Sequence, residues 1–314
     1  MLSYPVIKNR KIRIAVVGCG RISKNHFDSL EKHKDELELV AVCDTNAETL
    51  NEHVKEYKVP GYQILEEMLK KEPKAIMRSI IQRIATGPDM SKDISTEEAH
   101  AGMRAVLNGD IDPVQTAIFL IALRMKRETD AENRGVLDAI REASNAVTAD
   151  VDEVLDMSDP YNGYNRSLPA APFLPAVMAA CGIPSVSHGV ETMSPKFGIT
   201  HHRVLRAAGI PVDLSTEQAA AQLANSDIGW AYLDQKAYCP KLHALTNLRS
   251  NIIKRQCITT VEVLTRPISG KNKTHYMSGY VHSPYTRVYA MLARHAGFDS
   301  CLMEIGRASC RERV

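Results

Sequence analysis

Residues 11–44 constrain the fold most: an apolar run, a glycine turn, a helix, a second apolar run and an acid follow in direct succession. Lys11 to Gly18 (KIRIAVVG) is β-branched and apolar, as a buried parallel strand must be. Gly18-Cys19-Gly20-Arg21-Ile22-Ser23 turns the chain, and residues 24–34 read as a helix. Residues 38–43 form a second apolar strand, which ends at Asp44. This order is that of a Rossmann unit. Gly18 permits the tight turn, Gly20 lets backbone approach a pyrophosphate, and the helix start beside Arg21 and Ile22 points N–H groups at phosphate. Asp44 can accept hydrogen bonds from a ribose diol, which favours NAD over NADP. The third glycine of the usual pattern is replaced by Ser23, and any tight strand-to-helix turn would also use two glycines.

After residue 74 the pattern changes. Ser95 with Glu98 three residues on is a capping box that opens a helix over residues 97–108, closed by Gly109. Pro113 opens a second helix to Lys126, with Ile118, Leu120, Ile121 and Met125 suited to its buried face. Thr129 begins a third, to about residue 143, completing a small bundle. Beyond Thr148 strands and helices alternate: strands over 154–157 and 184–187, the latter ending at His188-Gly189, and helices over 172–181, 200–208 and 216–225. Alternation of this kind predicts a parallel sheet covered by helices. The expected fold class is therefore α/β: a partial Rossmann unit over residues 1–75, a helical domain over 76–147 and a parallel α/β domain over 148–303.

Residues 304–314 (EIGRASCRERV) have no apolar periodicity and set three arginines against two glutamates. They back-translate to the start of a common sequencing adapter, so they are expected to be an artefactual tail. The 314 residues, 44% hydrophobic and 24% charged, carry a net charge of +2 and single out no partner. Seven scattered cysteines, no signal peptide and no long apolar stretch predict a soluble cytoplasmic protein without membrane contact. The spacing assigns no metal cluster and no catalytic residue.

Two resemblances extend this reading. IAVVGCGRISKNHFDSL and ELELVAVCDTN resemble the start of the Gfo/Idh/MocA oxidoreductases, from Lys11 to about Leu69. That implies NAD at Gly18, Gly20, Arg21, Ile22 and Asp44. The likeness stops after two strands, before the Glu-Lys-Pro segment with that family's catalytic lysine. STEEAHAGMRAVLNGDIDPVQTAIFLIALRMKRET and GIPSVSHGVETMSPKFGITHHRVLRAAGIPVDLS resemble the anthranilate phosphoribosyltransferase (glycosyltransferase family 3) group, over residues 77–303. This second resemblance implies a phosphoribosyl pyrophosphate site, Mg²⁺ held by acids beyond residue 303, and a homodimer formed through the helical domain. Where that family has a glycine-rich phosphate loop, this chain has Asp159-Pro160-Tyr161-Asn162-Gly163-Tyr164. Pro160 lacks an N–H, two tyrosines fill space and Asp159 repels phosphate, so the loop is a degenerate cradle. Gly163, Asn165, Arg166, His188, Gly189, Lys196 and Arg255 remain as phosphate or substrate candidates. His188 as a strand cap, and Lys196 and Arg255 as solvated charges, are the plainer alternatives.

The loop is closer to the YbiB-like branch of that family, whose association is with nucleic acid. A basic segment would serve such binding: Lys241, Arg249, Lys254, Arg255, Arg266, Lys271 and Lys273, against the single acid Glu262, with Tyr276, Tyr280 and Tyr285 as stacking faces. A solvated surface segment is the alternative. The expected function is thus an anthranilate phosphoribosyltransferase-like protein that is not a competent enzyme. Nucleic-acid binding on the same fold is one alternative, and an NAD-dependent sugar dehydrogenase, if the N-terminus sets the function, is the other.

Overall fold

The computed structural model describes residues 11–305 apart from residues 66, 69–72, 88, 159, 167–168 and 281. Leu69, Lys71, Asp159 and the tail from residue 306 therefore lie outside the described residues. The chain divides into two compact units, Met1–Ile76 and Met77–Val314.

The first unit holds β1 (Ile12–Val17), α1 (Lys24–Lys32), β2 (Leu37–Cys43), α2 (Ala47–Tyr57) and β3 (Gly61–Tyr62). The three strands are parallel, in the order β1-β2-β3. β3 corrects the expectation of a sheet that stops after two strands. It is two residues long, below the length at which alternation can be read. Val16, Cys19, Phe27, Val42 and Leu50 form the core on the helix side, and Phe27 stacks on Tyr57 at 4.6 Å. Among the described residues no strand pairs with the outer edge of β1, where Ile12 and Val17 are 45% and 56% exposed.

The division between the units falls inside α3 (Pro73–Ile84), whose Met77, Ile80 and Ile84 are buried. The bundle continues with α4 (Thr96–Leu107), α5 (Pro113–Lys126) and α6 (Asp130–Glu142). Capping sets the starts. Ser95 and Glu98 close a capping box on α4, Asp112 caps α5 ahead of Pro113, and Thr129 and Glu132 close a second box on α6. Each such cap contributes about 1 kcal/mol. α5 differs from expectation in its buried face. Phe119, Leu120 and Leu123 are buried, whereas Met125 is 74% exposed. The helix is apolar on several sides, so periodicity alone did not single out the inward one. α4 and α6 pack backbone against backbone at Gly135, where a Cβ would lie 2.2 Å from the Thr96 carbonyl oxygen.

The rest of the second unit is built on a five-stranded parallel sheet: β5 (Glu153–Asp156), β6 (Ser185–Gly189), β7 (Trp230–Asp234), β9 (Lys273–Tyr280) and β10 (Ser300–Ile305). Its order is β10-β9-β5-β6-β7, and β4 (Val147–Thr148) pairs separately with β8 (Ile268–Ser269). From β5 the chain builds outward to β6 and β7, then returns to lay β9 on the other side. β5 is thus the switch point, and parallel α/β sheets open a crevice at the carboxyl ends of such strands. α7 (Leu174–Ala180), α8 (His201–Ala207), α9 (Thr216–Ala224) and α14 (Pro284–His295) belong to this region. Between β7 and β8 run the short helices α10 (Gln235–Tyr238), α11 (Pro240–His243), α12 (Thr246–Ile252) and α13 (Ile258–Val261). β10 pairs with β9 as far as Ile305. Glu304 and Ile305 are thus the last two residues of β10, across the expected boundary at residue 303. Among the described residues no helix is long and apolar enough to cross a membrane.

Gly135→Ala tests the α4–α6 packing. Overpacking of this kind costs about 1–3 kcal/mol, so the urea midpoint of the second unit should fall. An unchanged midpoint would mean that the two helices separate at no cost.

Candidate functional site

In the first unit the glycine turn closes the carboxyl ends of β1 and β2. Gly18 has φ +84°, a conformation that favours glycine, and its N–H donates to the Cys43 carbonyl at 2.8 Å. No heavy atom stands within 4 Å of where a Cβ would sit at Gly18 or Gly20. The turn is open to an approaching ligand. Ser23 directs its hydroxyl back to the Gly20 carbonyl at 2.6 Å and makes no side-chain cap on α1. Asp44 accepts from the Cys19 N–H at 2.6 Å and the Asn46 N–H at 2.7 Å. Those bonds, Asn46 first, hold its carboxyl below the usual aspartate value. Asp44 thus braces the turn itself. Arg21 and Ile22 are exposed beside it.

In the second unit a small recess of about 10 Å³, room for about one water, opens at the ends of β5 and β6. Pro160, Tyr161, Gly163, Tyr164, His188 and His201 are among its lining residues. His188, at the end of β6, is buried and committed on both ring nitrogens. Nε2 stands 2.6 Å from the Ser158 hydroxyl and 3.2 Å from Asp156 Oδ1, while Nδ1 meets the Tyr161 hydroxyl. Placing the ring proton on Nε2 lets His188 donate toward Asp156 and accept from Tyr161. The Tyr161 hydroxyl also bonds the Tyr238 hydroxyl at 2.7 Å. Burial first, then Tyr238 and Glu262, pushes it well above the usual phenol value, so it stays a neutral donor. Asp156 Oδ2 is buried with no hydrogen-bond partner among the described residues.

Beside the recess two loops are zipped together. Tyr164 and Ile199 exchange backbone hydrogen bonds of 3.0 and 2.9 Å, and the Gly198 N–H donates to the Asn162 carbonyl at 3.0 Å. Gly163 has φ +73°, and a Cβ there would lie 2.7 Å from the Gly198 carbonyl carbon. The glycine thus serves this close approach. Asn165 donates to the Lys196 carbonyl at 3.3 Å. The zipper sets Gly163 and Asn165 against the loop bearing Lys196, whose ammonium feels the charges of Arg255 and Arg166. The Lys196 ammonium is held below the usual lysine value by partial desolvation, then by Arg255 and Arg166. Among the described residues no carboxylate pairs with any of these three cations.

The basic segment needs correction. Arg249 is fully buried, with a forked ion pair to Glu262 at 2.7 Å on both arms. It presents nothing to nucleic acid, and Glu262 is its internal counter-ion. Lys271 pairs with Asp150, and Lys273 lies 3.5 Å from Glu153 at the amino end of the sheet. Arg255 lies with Lys196 near the carboxyl end. Lys241 donates to Asn108 and Arg266 to the Gly297 carbonyl. Lys254 is exposed. Tyr276 is buried and Tyr285 accepts from Arg124. One stretch of sequence is therefore divided between the two ends of a sheet. The residues that the sequence did not reveal are Asp156, Ser158, Tyr238 and His201. Their pairing is across the fold, so only the acid at a strand end was available as a signal.

Comparison with known proteins agrees with both halves of this picture. Residues 78–144 match a glycosyl transferase family helical bundle domain, and residues 12–101 an oxidoreductase family NAD-binding Rossmann fold. An uncharacterized protein of Aquifex aeolicus is 28% identical over 71% of this chain and 66% of its own length. The anthranilate phosphoribosyltransferase of Deinococcus radiodurans is 31% identical over 68% of this chain and 61% of its own length. That of Cellvibrio japonicus is 34% identical over 58% and 52%. The chain thus spans 52–66% of the length of these relatives. The crystal structure of anthranilate phosphoribosyltransferase from Thermus thermophilus superposes with a TM-score of 0.60 at 20% identity, covering 71% of this chain and 63% of that one. The Saccharomyces cerevisiae protein in complex with phosphoribosyl pyrophosphate and Mg superposes with a TM-score of 0.59 at 14% identity, covering 75% and 67%. Over 68–71% of its length the chain resembles the anthranilate phosphoribosyltransferases in sequence and shares their fold.

The cation cluster has a chemical signature. A lowered ammonium pKa leaves more free amine at a given pH, so Lys196, itself exposed, should acylate faster than the chain's other exposed lysines at about pH 8. Arg255→Ala removes a neighbouring positive charge and should slow that reaction, as read by peptide mass spectrometry. An unchanged rate would place Arg255 away from Lys196.

Proposed function

We propose that the second unit is a phosphoribosyltransferase-like framework that binds a phosphorylated pentose beside Arg166, Lys196 and Arg255 without completing phosphoribosyl transfer. The observation that carries this reading is the convergence of three cations, free of carboxylate partners among the described residues, beside a recess at the carboxyl end of the switch-point strand. Guanidinium forks and an ammonium are the groups that hold phosphate oxygens. Transfer requires more. The leaving pyrophosphate must be neutralised as it departs, and His188, committed on both nitrogens beneath the recess, is not placed to exchange a proton with a ligand. Among the described residues no group of three His, Cys, Asp or Glu side chains could hold a metal ion.

The full chain given anthranilate, phosphoribosyl pyrophosphate and Mg²⁺ should show no loss of anthranilate fluorescence beyond the blank. Calorimetric titration with phosphate ligands should give saturable heat, and Lys196→Ala or Arg255→Ala should weaken binding about tenfold or more, the worth of a charged hydrogen bond. Sustained turnover, or an affinity indifferent to both substitutions, would overturn the reading.

For the first unit we propose NAD binding at the glycine turn without hydride transfer, supported by the open space over Gly18 and Gly20. NADH fluorescence should rise saturably with the full chain and fail to do so with Gly20→Leu, which fills the approach. Equal binding by the variant would mean that the turn is not the site.

A further inference from the structure

We propose that α7 and the strand starts beside it form a docking face for a second copy of this chain, with a two-fold axis that sets the two α7 helices antiparallel. The face lies apart from the ligand site proposed above and shares no residue with it.

Between Arg166 and His188 the sequence holds no charged residue. That stretch contains α7, none of whose seven residues is polar. A helix on the outside of a sheet normally carries polar groups on its outward face, and a helix apolar all round is normally a covered one. The inner side of α7 packs on β6 and β7, with Pro175 buried. Its outer side is exposed. Phe173 is 40% exposed and Val177 is 55% exposed, and Ala180 and Cys181 follow them, spaced as one helical stripe.

The stripe continues past the helix. A Cβ on Gly229 would lie 3.1 Å from the Ala179 Cβ, and the Ser185 N–H donates to the Gly229 carbonyl at 3.0 Å. These contacts set the amino ends of β6 and β7 beside the end of α7, where Ile183 and Ile228 are exposed. Apolar side chains contiguous in this way mark an interaction face, unlike ones scattered singly.

The charges at the two ends of the strip identify its occupant. The turn that opens α7 lies against α8, where Arg203 is exposed and Arg206 is paired with Glu191. At the other end Asp227 is exposed next to Ile228. The strip thus runs from a cation to an acid with an uncharged helix between them. Laid antiparallel on a second copy, it meets apolar residues with apolar residues and turns each Arg203 towards the partner's Asp227. A parallel arrangement would oppose like charges. Contacts of this isologous kind are the commonest in soluble oligomers. A strip this short falls below the roughly 20–30 residues a side of a standard interface, so the dimer forms only at roughly 10–100 μM chain.

Sedimentation velocity of the full chain across that range should show monomer passing to dimer. Val177→Asp puts a carboxylate into the apolar contact and should raise the midpoint about tenfold or more. Arg203→Glu and Asp227→Arg should each weaken association about threefold, the worth of an exposed ion pair. The chain carrying both should regain it, because the reversed charges again meet opposite signs. That recovery decides the matter even where Val177→Asp fails to fold. Peptide mass spectrometry should also find Cys181 alkylated more slowly as dimer forms. A chain that stays monomeric throughout, association that survives Val177→Asp, or a double variant no better than the single ones would overturn the proposal. So would loss of association in Met125→Lys, which places the contact on the helical bundle. Slow Cys181 alkylation at every dilution would also sink it, since another part of the same chain then covers the strip.

Discussion

The contact between Asp156 and His188, 3.2 Å apart at the ends of β5 and β6, is the constraint on which the second unit's surface depends. β5 is the strand at which the sheet changes direction, so whatever closes its carboxyl end sets the shape of the crevice there. His188 closes it by holding Asp156 and Ser158 on one nitrogen and Tyr161 on the other. That ties the loop after β5 to the end of β6 and draws Tyr161 inward. With Tyr161 inward, Gly163 can meet Gly198, the two loops zip, and Lys196 comes to lie near Arg166 and Arg255. A buried polar network of this kind rigidifies when its members are paired.

The deepest charges in the unit follow the same logic. Arg249 and Glu262 are both fully buried and form a fork, with Gln256 and Gln235 taking further hydrogen bonds. A buried pair so saturated contributes little net stability, yet removing either member leaves an unpaired charge in the interior, at about 3–5 kcal/mol. The pair lies between α12 and the turn after α13, which also supply the segment bearing Arg255. The arginine available to a ligand is thus carried on a segment anchored by one that is not.

Much of the scaffold was legible in the sequence because its signals are local. Ser95 with Glu98, Pro113 and Thr129 mark helix starts within four residues, and the helices begin there as expected. The glycine turn and Asp44 were legible for the same reason, although Asp44 bonds the turn as well as facing it. What failed was long-range. Arg249 looks like any surface arginine until its partner thirteen residues on is seen beneath the same lid. Lys271 and Lys273 were grouped with Arg255 by proximity in sequence, but β8 and the start of β9 lie at the opposite end of the sheet. Gly163 was read only for its likeness to a phosphate loop, and its close approach to Gly198 was not legible because the two glycines are far apart in sequence. Met125 was placed inside because α5 is apolar on more than one side.

The bare edge of β1 carries a different kind of consequence. A parallel strand normally has neighbours on both sides, and edges left open in natural sheets are guarded by lysine, proline or a bulge. β1 carries one charge, at Arg13, and its register shifts between Ile14 and Ala15, while Val16 and Val17 are apolar; among the described residues nothing pairs at its outer edge. The unmatched amide and carbonyl row is a template for another strand, from any chain that comes close enough.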